Sequence, residues 1–412
     1  MEKQERLFWI LTLFAVVSSI GSSMITPYLP LFGEEIGMTI GLVGYLVFVN
    51  YAVAAVSRIP IGSVSDFLGH GKVIFGGAFC FLLAAAMYVL SSSVPSLLFV
   101  GQLFFGLGTS ITWVTIPAYI TSMRQSVAKY SFSVGMGWLL GPPLGGFIRD
   151  NFGMMPLFAV FALCGLALLG LSVWFGKETA GDLEKTTSGA KVRLKESLHT
   201  SFKDAVEIFT LHKGVMLAGV SSFVMFMTFA MGASLLPIHF QSIGLLSFQI
   251  GLLQSLRTVS STSIRLAFNL IKRLARKFLG VEDESTLLIL SMGLIGVPIM
   301  LLPLTSSRPL IMGLLVLWGL SGGLYLPIVL NLIAESTSDG QRGMAMGLRG
   351  SMGTLGSALG VLVLSNLAEI YSVQLALKFL GLFTISCAAV LLKLNKSHAY
   401  STERPAVKPG DD

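Results

Sequence analysis

Residues 57–72 read SRIPIGSVSDFLGHGK. An apolar run that begins near residue 40 stops in this short loop, which carries Asp66 and Lys72, and a second apolar run resumes at Val73. Each run is close to the ~20 residues that an α-helix needs to cross a bilayer core. A helix is also the form that satisfies its own backbone hydrogen bonds in lipid. Worked outward from this loop, the pattern repeats, giving twelve segments at about 7–32, 40–63, 73–91, 96–121, 129–149, 155–175, 214–238, 247–270, 285–304, 309–333, 343–366 and 374–394. One long polar stretch divides them six and six. The expected organisation is an N-terminal six-helix bundle (1–176), a cytoplasmic linker (177–213), a C-terminal six-helix bundle (214–394) and a cytoplasmic tail (395–412). Val192 to Leu211 in the linker is read as an amphipathic helix on the membrane surface.

Composition excludes most other classes. Of 412 residues, 53% are hydrophobic and 45 more are glycine, and mean hydropathy is +0.79. Charged residues make up 12%, against about 25% in an ordinary soluble domain. Too few polar side chains remain to cover a soluble fold, which excludes a cytosolic enzyme, a nucleic-acid module or a secreted disulfide scaffold. The net charge of +7 reflects Lys and Arg retained on one side of a membrane. With the N-terminus inside, most of the 28 Lys and Arg fall in inner segments, and only Arg149, Arg308 and Lys378 lie at outer ends. Both termini are therefore expected in the cytoplasm, and the site of residence is a plasma membrane. Cys80, Cys164 and Cys387 lie in apolar runs and read as small hydrophobes. The five histidines show no metal spacing, and no G-x-x-x-x-G-K-[ST] phosphate loop is present. No enzyme, cofactor, nucleic acid or obligate protein partner is called for.

The loop after the second span carries Gly62, Asp66, Gly69 and Lys72. This resembles the signature G-x-x-x-D-[RK]-x-G-x-[RK]-[RK] of the major facilitator superfamily, with Phe67 and Gly71 in two of its basic places. The fifth span carries Gly137, Gly141, Pro142, Gly145 and Gly146 in GWLLGPPLGG, similar to the antiporter motif of the family's drug-efflux branches. In the fourth span Gly106 and Gly108 fit a further family element, with Gln102 where an arginine is usual. The resemblance implies an all-α membrane fold of two pseudo-symmetric six-helix bundles, moving a small solute by alternating access around a midplane site. It implies that Asp66 latches the halves near Gly343–Gly347, with Arg58 and Arg124 as cationic neighbours. Independently of the resemblance, Gly137, Gly141 and Gly145 recur every four residues on one helix face. Small residues there allow close helix approach, and Pro142 allows a bend. That face is either a sliding surface between the halves or simply a close-packed crossing.

The halves read as a weak repeat in which Arg58 aligns with Arg265. Arg257 lies about eleven residues into the eighth span, ~16 Å deep at 1.5 Å per residue, where a charge is costly unless it faces a wet cavity or a partner. Gln254, Arg257, Thr258, Ser261 and Arg265 share one side of that helix. Arg257 is expected to attract an anionic or strongly polar substrate, or else to be a structural arginine bonded to a neighbour such as Asn50. Further cavity candidates are Asn50, Tyr51, Trp113, Trp318, Tyr325 and Met225, with Ser18, Ser22, Thr26, Thr109, Thr112, Thr228, Met231 and Ser321. No Asp, Glu or His lies near the middle of a span, which argues against simple proton antiport and against cationic drugs, while the fifth-span motif argues for efflux. A proton or other ion gradient acting through Glu34, Glu35 or Asp66 stays open. The leading function is export of an anionic or amphipathic solute. The alternatives are uptake of a sugar or organic acid, and a non-transporting receptor or scaffold.

Overall fold

The computed structural model describes residues 2–123, 126–179, 207–337 and 339–402, and within those ranges leaves undescribed the side chains of residues 2, 59, 62, 63, 66, 67, 127, 128, 279, 339–343 and 396–402. Fifteen helices organise the described chain: α1 (Glu2–Ile25), α2 (Leu29–Glu35), α3 (Ile40–Leu68), α4 (His70–Leu90), α5 (Leu97–Ser122), α6 (Val127–Phe152), α7 (Met154–Thr179), α8 (Lys213–Ala233), α9 (Leu235–Ser242), α10 (Ser247–Leu266), α11 (Phe268–Leu279), α12 (Glu284–Leu301), α13 (Arg308–Ser336), α14 (Asp339–Ile370) and α15 (Val373–Thr402). No strand occurs among the described residues. The linker from residue 180 to 206, Arg124 and the last ten residues of the tail lie outside the description, as does most of the amphipathic segment read at Val192–Leu211.

Local chemistry sets the helix ends. Thr39 caps α3 by accepting from Leu42 N, Ser126 caps α6 through Lys129 N, and Asp283 caps α12 through Thr286 N. These side-chain oxygens satisfy amides that a helix start leaves free. Gly69 joins α3 to α4 with no loop. Its φ of 86° is open to glycine and strained for residues with a Cβ, which is the structural reason for this motif glycine. Two spans break at corresponding places. The first ends at Ile25 and restarts as α2 with Pro30 in its first turn; the seventh ends at Ala233 and restarts as α9, which carries Pro237.

Ten of the twelve spans are long and apolar enough to cross a membrane by composition alone. The other two are α6 and α10. They pack on each other, so they face protein more than lipid and need less apolar surface. The second seam between the halves is α3 against α14. The pairing is pseudo-symmetric, because α6 and α14 are the fifth spans of their halves and α3 and α10 the second. The eighth span is shorter than the 247–270 run read from sequence. It stops at Leu266, and Phe268–Leu279 forms the separate helix α11. Arg6 of α1 pairs with Glu178 of α7 (3.6 Å), so the first span starts at the same end of the bundle at which the sixth finishes. This is called the basic end below.

Candidate functional site

At the end opposite the basic one, both seams are tied shut. Leu246 precedes α10 and offers no capping side chain. Asp150, at the end of α6, supplies the missing acceptor: its carboxylate takes the amides of Ser247 (3.0 Å) and Phe248 (2.7 Å). Arg149 donates to Ser247 Oγ and pairs with Glu35. Tyr28 Oη, fully buried, reaches the carbonyls of Pro142 (2.5 Å) and Ser247 (3.0 Å). The pseudo-symmetric seam repeats the device. Glu369, at the end of α14, accepts from Thr39 Oγ1 (2.8 Å) and from the amide of Gly41 at the start of α3. Helix N-termini favour an anion, and each latch sets a carboxylate of one half against a helix start of the other.

The α6–α10 seam also uses a proline. Pro143 has no N–H, so the carbonyl of Leu139 loses its helical donor. Ser255 Oγ of α10 donates to it at 2.5 Å. Close approach matters here, since a Cβ on Gly146 would lie 2.3 Å from Ser247 O, and one on Gly251 2.4 Å from Pro142 O. The face of Gly137, Gly141 and Gly145 packs elsewhere. Added Cβ atoms would strike Ser19, Ser23 and Met24 of α1, so this stripe is a seam inside the N-terminal half. Contact between the halves falls to Gly146 and the Pro142 carbonyl on the neighbouring face.

Below the seal lies a cavity of about 600 Å³. The N-terminal half lines it with Ser18, Ser22, Thr26, Asn50, Tyr51, Arg58, Gln102, Thr109, Thr112, Trp113, Tyr130 and Trp138, among others. The C-terminal half contributes Phe226 and Phe229 of α8 and Met346, Gly347, Arg349, Gly350, Ser351 and Ser357 of α14. Cβ atoms added at Gly347 and Gly350 would meet nothing within 4 Å, so α14 borders open space toward the basic end. Among the described residues, the contrast with the packed glycines of the seal gives a cavity closed at one end only. Arg58 donates to Thr354 Oγ1 of α14 (2.7 Å), and its Nε finds no partner. Asn50 Nδ2 also lacks one. Arg58 and Arg349 lie within electrostatic range of each other. Among the described residues, the lining includes both arginines and no carboxylate.

Of the candidates read from sequence, Asn50, Tyr51, Trp113 and Arg58 stand on this wall. Arg257, Gln254, Trp318, Tyr325 and Met225 do not. Met225 and Trp318 are packed in the C-terminal core, and Tyr325 Oη bonds Ser222 Oγ (2.5 Å). Gln254 donates to Gly232 O (2.5 Å). Arg257 is sandwiched by rings, its guanidinium 4.8 Å from the Trp318 centroid and 5.9 Å from that of Phe229. Its Nη1 is shielded and has no hydrogen-bond partner. It bonds neither to Asn50 nor to a carbonyl, and it stands one ring behind the wall, within electrostatic range of Tyr51. Arg265 bonds Ser261 of its own helix (3.2 Å) and does not line the cavity. Lys72 is exposed in the first turn of α4, and Gly62 lies within α3. The latch read at Asp66 with Arg124 rests on side chains outside the described residues. Sequence reading missed Arg349, Trp138 and the Phe226–Phe229 pair. Arg349 had a signal: it is the eleventh residue of α14, as deep in its helix as Arg257 is in α10.

Two six-span halves, with a one-ended cavity between them and seals on two related seams, define a secondary transporter. A family model described as Major Facilitator Superfamily matches residues 11–281 and 220–410. An uncharacterised MFS-type transporter of Methanocaldococcus jannaschii, MJ1560, is 23% identical over 405 residues, covering 93% of this chain and 96% of that one. A probable nitrate transporter of Staphylococcus aureus, NarT, is 24% identical over 165 residues, 38% of this chain and 42% of its own. Among solved structures, tetrameric PepTSo2 superposes with a TM-score of 0.72 at 13% identity, over 96% of this chain and 99% of that one. A POT family transporter bound to 5-aminolevulinic acid gives 0.70 at 14%, over 96% of each chain. The chain belongs to the Major Facilitator Superfamily.

Proposed function

We propose that this transporter carries an amphipathic organic anion, held between Arg58 of the N-terminal half and Arg349 of the C-terminal half. The observation that carries the reading is this pair of like charges, one from each half, on the helices α3 and α14 that meet beside the cavity, with no carboxylate among the described lining residues to neutralise them. An anion between them removes their repulsion and ties the two halves together, which is what a substrate must do to bias alternating access. Trp113, Trp138, Phe226 and Phe229 give the rest of the cavity an aromatic surface suited to an apolar body. Arg257, behind Phe229, adds positive potential without touching the ligand. Asn50 and Tyr51, about two turns from Arg58 on the same helix toward the seal, contribute polar atoms to the wall.

The residues from 177 to 213 act as a linker between bundles 1–176 and 214–394, both termini lie in the cytoplasm of a plasma membrane, and the cavity of this state opens inward. The fifth-span motif supports export as the direction. A second reading, a small inorganic anion, is favoured by the partial likeness to the probable nitrate transporter. Cavity size weighs against it: about 600 Å³ would hold on the order of twenty waters at ~30 Å³ each, far more than such an ion fills.

The test is ligand-induced thermal stabilisation and liposome flux with the full-length protein, using an aromatic carboxylate, nitrate, a dipeptide and a cationic dye. The expected result is stabilisation and flux with the aromatic carboxylate, lost in both Arg58→Gln and Arg349→Gln. Saturable nitrate flux without aromatic carboxylate flux selects the second reading. Preference for the dye, or carboxylate binding unchanged in both variants, refutes the anion assignment.

A further inference from the structure

Helix α11 is unused by the transport cycle described above. Its twelve residues, FNLIKRLARKFL, carry Lys272, Arg273, Arg276 and Lys277 and no acidic side chain. At 100° per residue the basic side chains and Asn269 occupy one continuous arc, and the apolar residues occupy the rest. The apolar arc is itself divided. Ala275 is buried, and Phe268 and Ile271 pack on the core, whereas Leu270, Leu274 and Phe278 are exposed. The helix therefore has three faces: one on the protein, one basic and one apolar but uncovered.

Its position is fixed. Lys272 pairs with Glu284, which also accepts from Asn331 Nδ2 (3.0 Å). Gly280 closes the helix in the left-handed conformation, and Asp283 caps the helix that follows. The remaining cations, Arg273, Arg276 and Lys277, are exposed. The uncovered apolar stripe follows directly on Leu252, Val259 and Leu266, the exposed residues seven apart on spanning helix α10. On a transporter helix such a surface faces acyl chains, and α11 continues it to the point where the basic arc begins.

We propose that α11 is a docking surface for anionic phospholipid in the leaflet at the basic end. Leu270, Leu274 and Phe278 bed in the acyl boundary, and Arg273, Arg276 and Lys277 hold headgroup phosphates. Charge selects the lipid, since a zwitterionic headgroup offers no net negative charge to three cations that have no acidic partner among the described residues; Lys277 lies over the Phe278 ring (5.3 Å), so charge and apolar stripe adjoin. Each basic side chain near an anionic surface contributes about fivefold in binding.

The experiment is native mass spectrometry of the full-length protein in detergent, titrated with phosphatidylglycerol or phosphatidylcholine. Wild type is expected to retain phosphatidylglycerol in preference. The Arg273→Gln/Arg276→Gln/Lys277→Gln variant is expected to lose about tenfold or more of that preference, with phosphatidylcholine retention unchanged. Arg273→Lys/Arg276→Lys, which keeps charge, is expected to retain it, separating charge from fold. Equal retention of the two lipids by wild type overturns the proposal, as does a preference that survives in the Gln variant. A second copy of the chain bound through this face, released in the Gln variant while lipid is not, also overturns it. The readout does not involve the transported substrate, so it stands or falls apart from the anion assignment.

Discussion

Removing the two carboxylate latches should unlock the sealed end. Asp150 takes two amides at the start of α10, and Glu369 takes the Gly41 amide and the Thr39 hydroxyl at the start of α3. A side-chain acceptor at a helix start contributes typically ~1 kcal/mol, and its negative charge at the positive end of the helix adds ~0.3–1 kcal/mol. Each latch is then worth about 1–2 kcal/mol, and the pair about 2–4 kcal/mol. At ~1.4 kcal/mol per tenfold, this shifts the ratio of sealed to open forms by about 30- to 1000-fold. A protein that is ~99% sealed falls to about three-quarters sealed at the low end of this range and becomes mostly open at the high end. The assay is labelling of a single cysteine at Thr26, on the cavity wall near the seal, with Cys80, Cys164 and Cys387 replaced by Ser and an impermeant thiol reagent supplied from the sealed side. Asp150→Ala and Glu369→Ala should each raise the labelling rate. Because the latches sit on separate seams, the double variant should show the sum of the two free-energy changes. A double variant that inserts and folds normally yet labels at the wild-type rate would refute the reasoning.

Gly146→Val puts side-chain atoms where Ser247 O already lies 2.3 Å from a bare Cβ; the seam should fail to close, flux should fall sharply, and thiol labelling from the sealed side should rise. Ser255→Ala strips the donor from the Leu139 carbonyl that Pro143 leaves free, which should cost about 1 kcal/mol and lower the thermal midpoint without abolishing substrate binding. Arg349→Gln should weaken binding of an organic anion by on the order of tenfold to a hundredfold, the ~1.5–3 kcal/mol of a hydrogen bond to a charged group, as read by substrate-induced thermal shift. At Asp283, burial pushes the carboxyl up, but the bonds from Thr286 and Asn395 outweigh it and hold the group below its ordinary value. A lowered folded-state value means stability that is present above the unfolded value and lost as pH falls through the folded one. Asp283→Asn should therefore flatten the loss of thermal stability seen below about pH 4, near the ordinary aspartate value.

Most of the N-terminal wall of the cavity was legible in the sequence, Trp138 excepted, and the C-terminal wall was not. Ser18, Ser22, Thr26, Asn50, Tyr51, Thr109, Thr112 and Trp113 are polar or amphipathic interruptions in apolar spans, and all of them line the cavity. In the seventh span the same logic selects Met225 and Thr228, whereas the wall is Phe226 and Phe229. The two faces differ by about 100°, one residue on a helix, and both are apolar enough to be core. Thr228 hides its hydroxyl by bonding Met225 O (2.7 Å). Threonine in a span can always find such a local acceptor, so polarity alone does not reveal which way it faces. Arg257 misleads for a related reason. Sequence reasoning allows a membrane arginine a wet cavity or a polar partner, but here two aromatic faces stabilise it, an interaction that needs only rings brought from distant helices.

The seams show why alternating access needs little special sequence. The helices that cross between the halves are held by backbone groups more than by side-chain pairs: the carbonyls of Leu139 and Ser247, and the amides of Gly41, Ser247 and Phe248. Such groups exist at every position. The sequence has only to expose them, by a proline that frees a carbonyl, by glycines that let backbones meet, or by an uncapped helix start such as that at Leu246. Bonds of this kind carry about 0.5–1.5 kcal/mol each when neutral, weak enough to break together when the halves rock. A seam of buried ion pairs would leave charges stranded in the open state, at a cost of ~3–5 kcal/mol for each broken pair. Among the described residues the one ion pair at the seal, Arg149 with Glu35, lies inside the N-terminal half and need not break. Distributing the closure over modest bonds to backbone thus keeps both states accessible, and it leaves the cavity's two arginines, which have no acidic partner among the described residues, as the groups whose charge a substrate must answer.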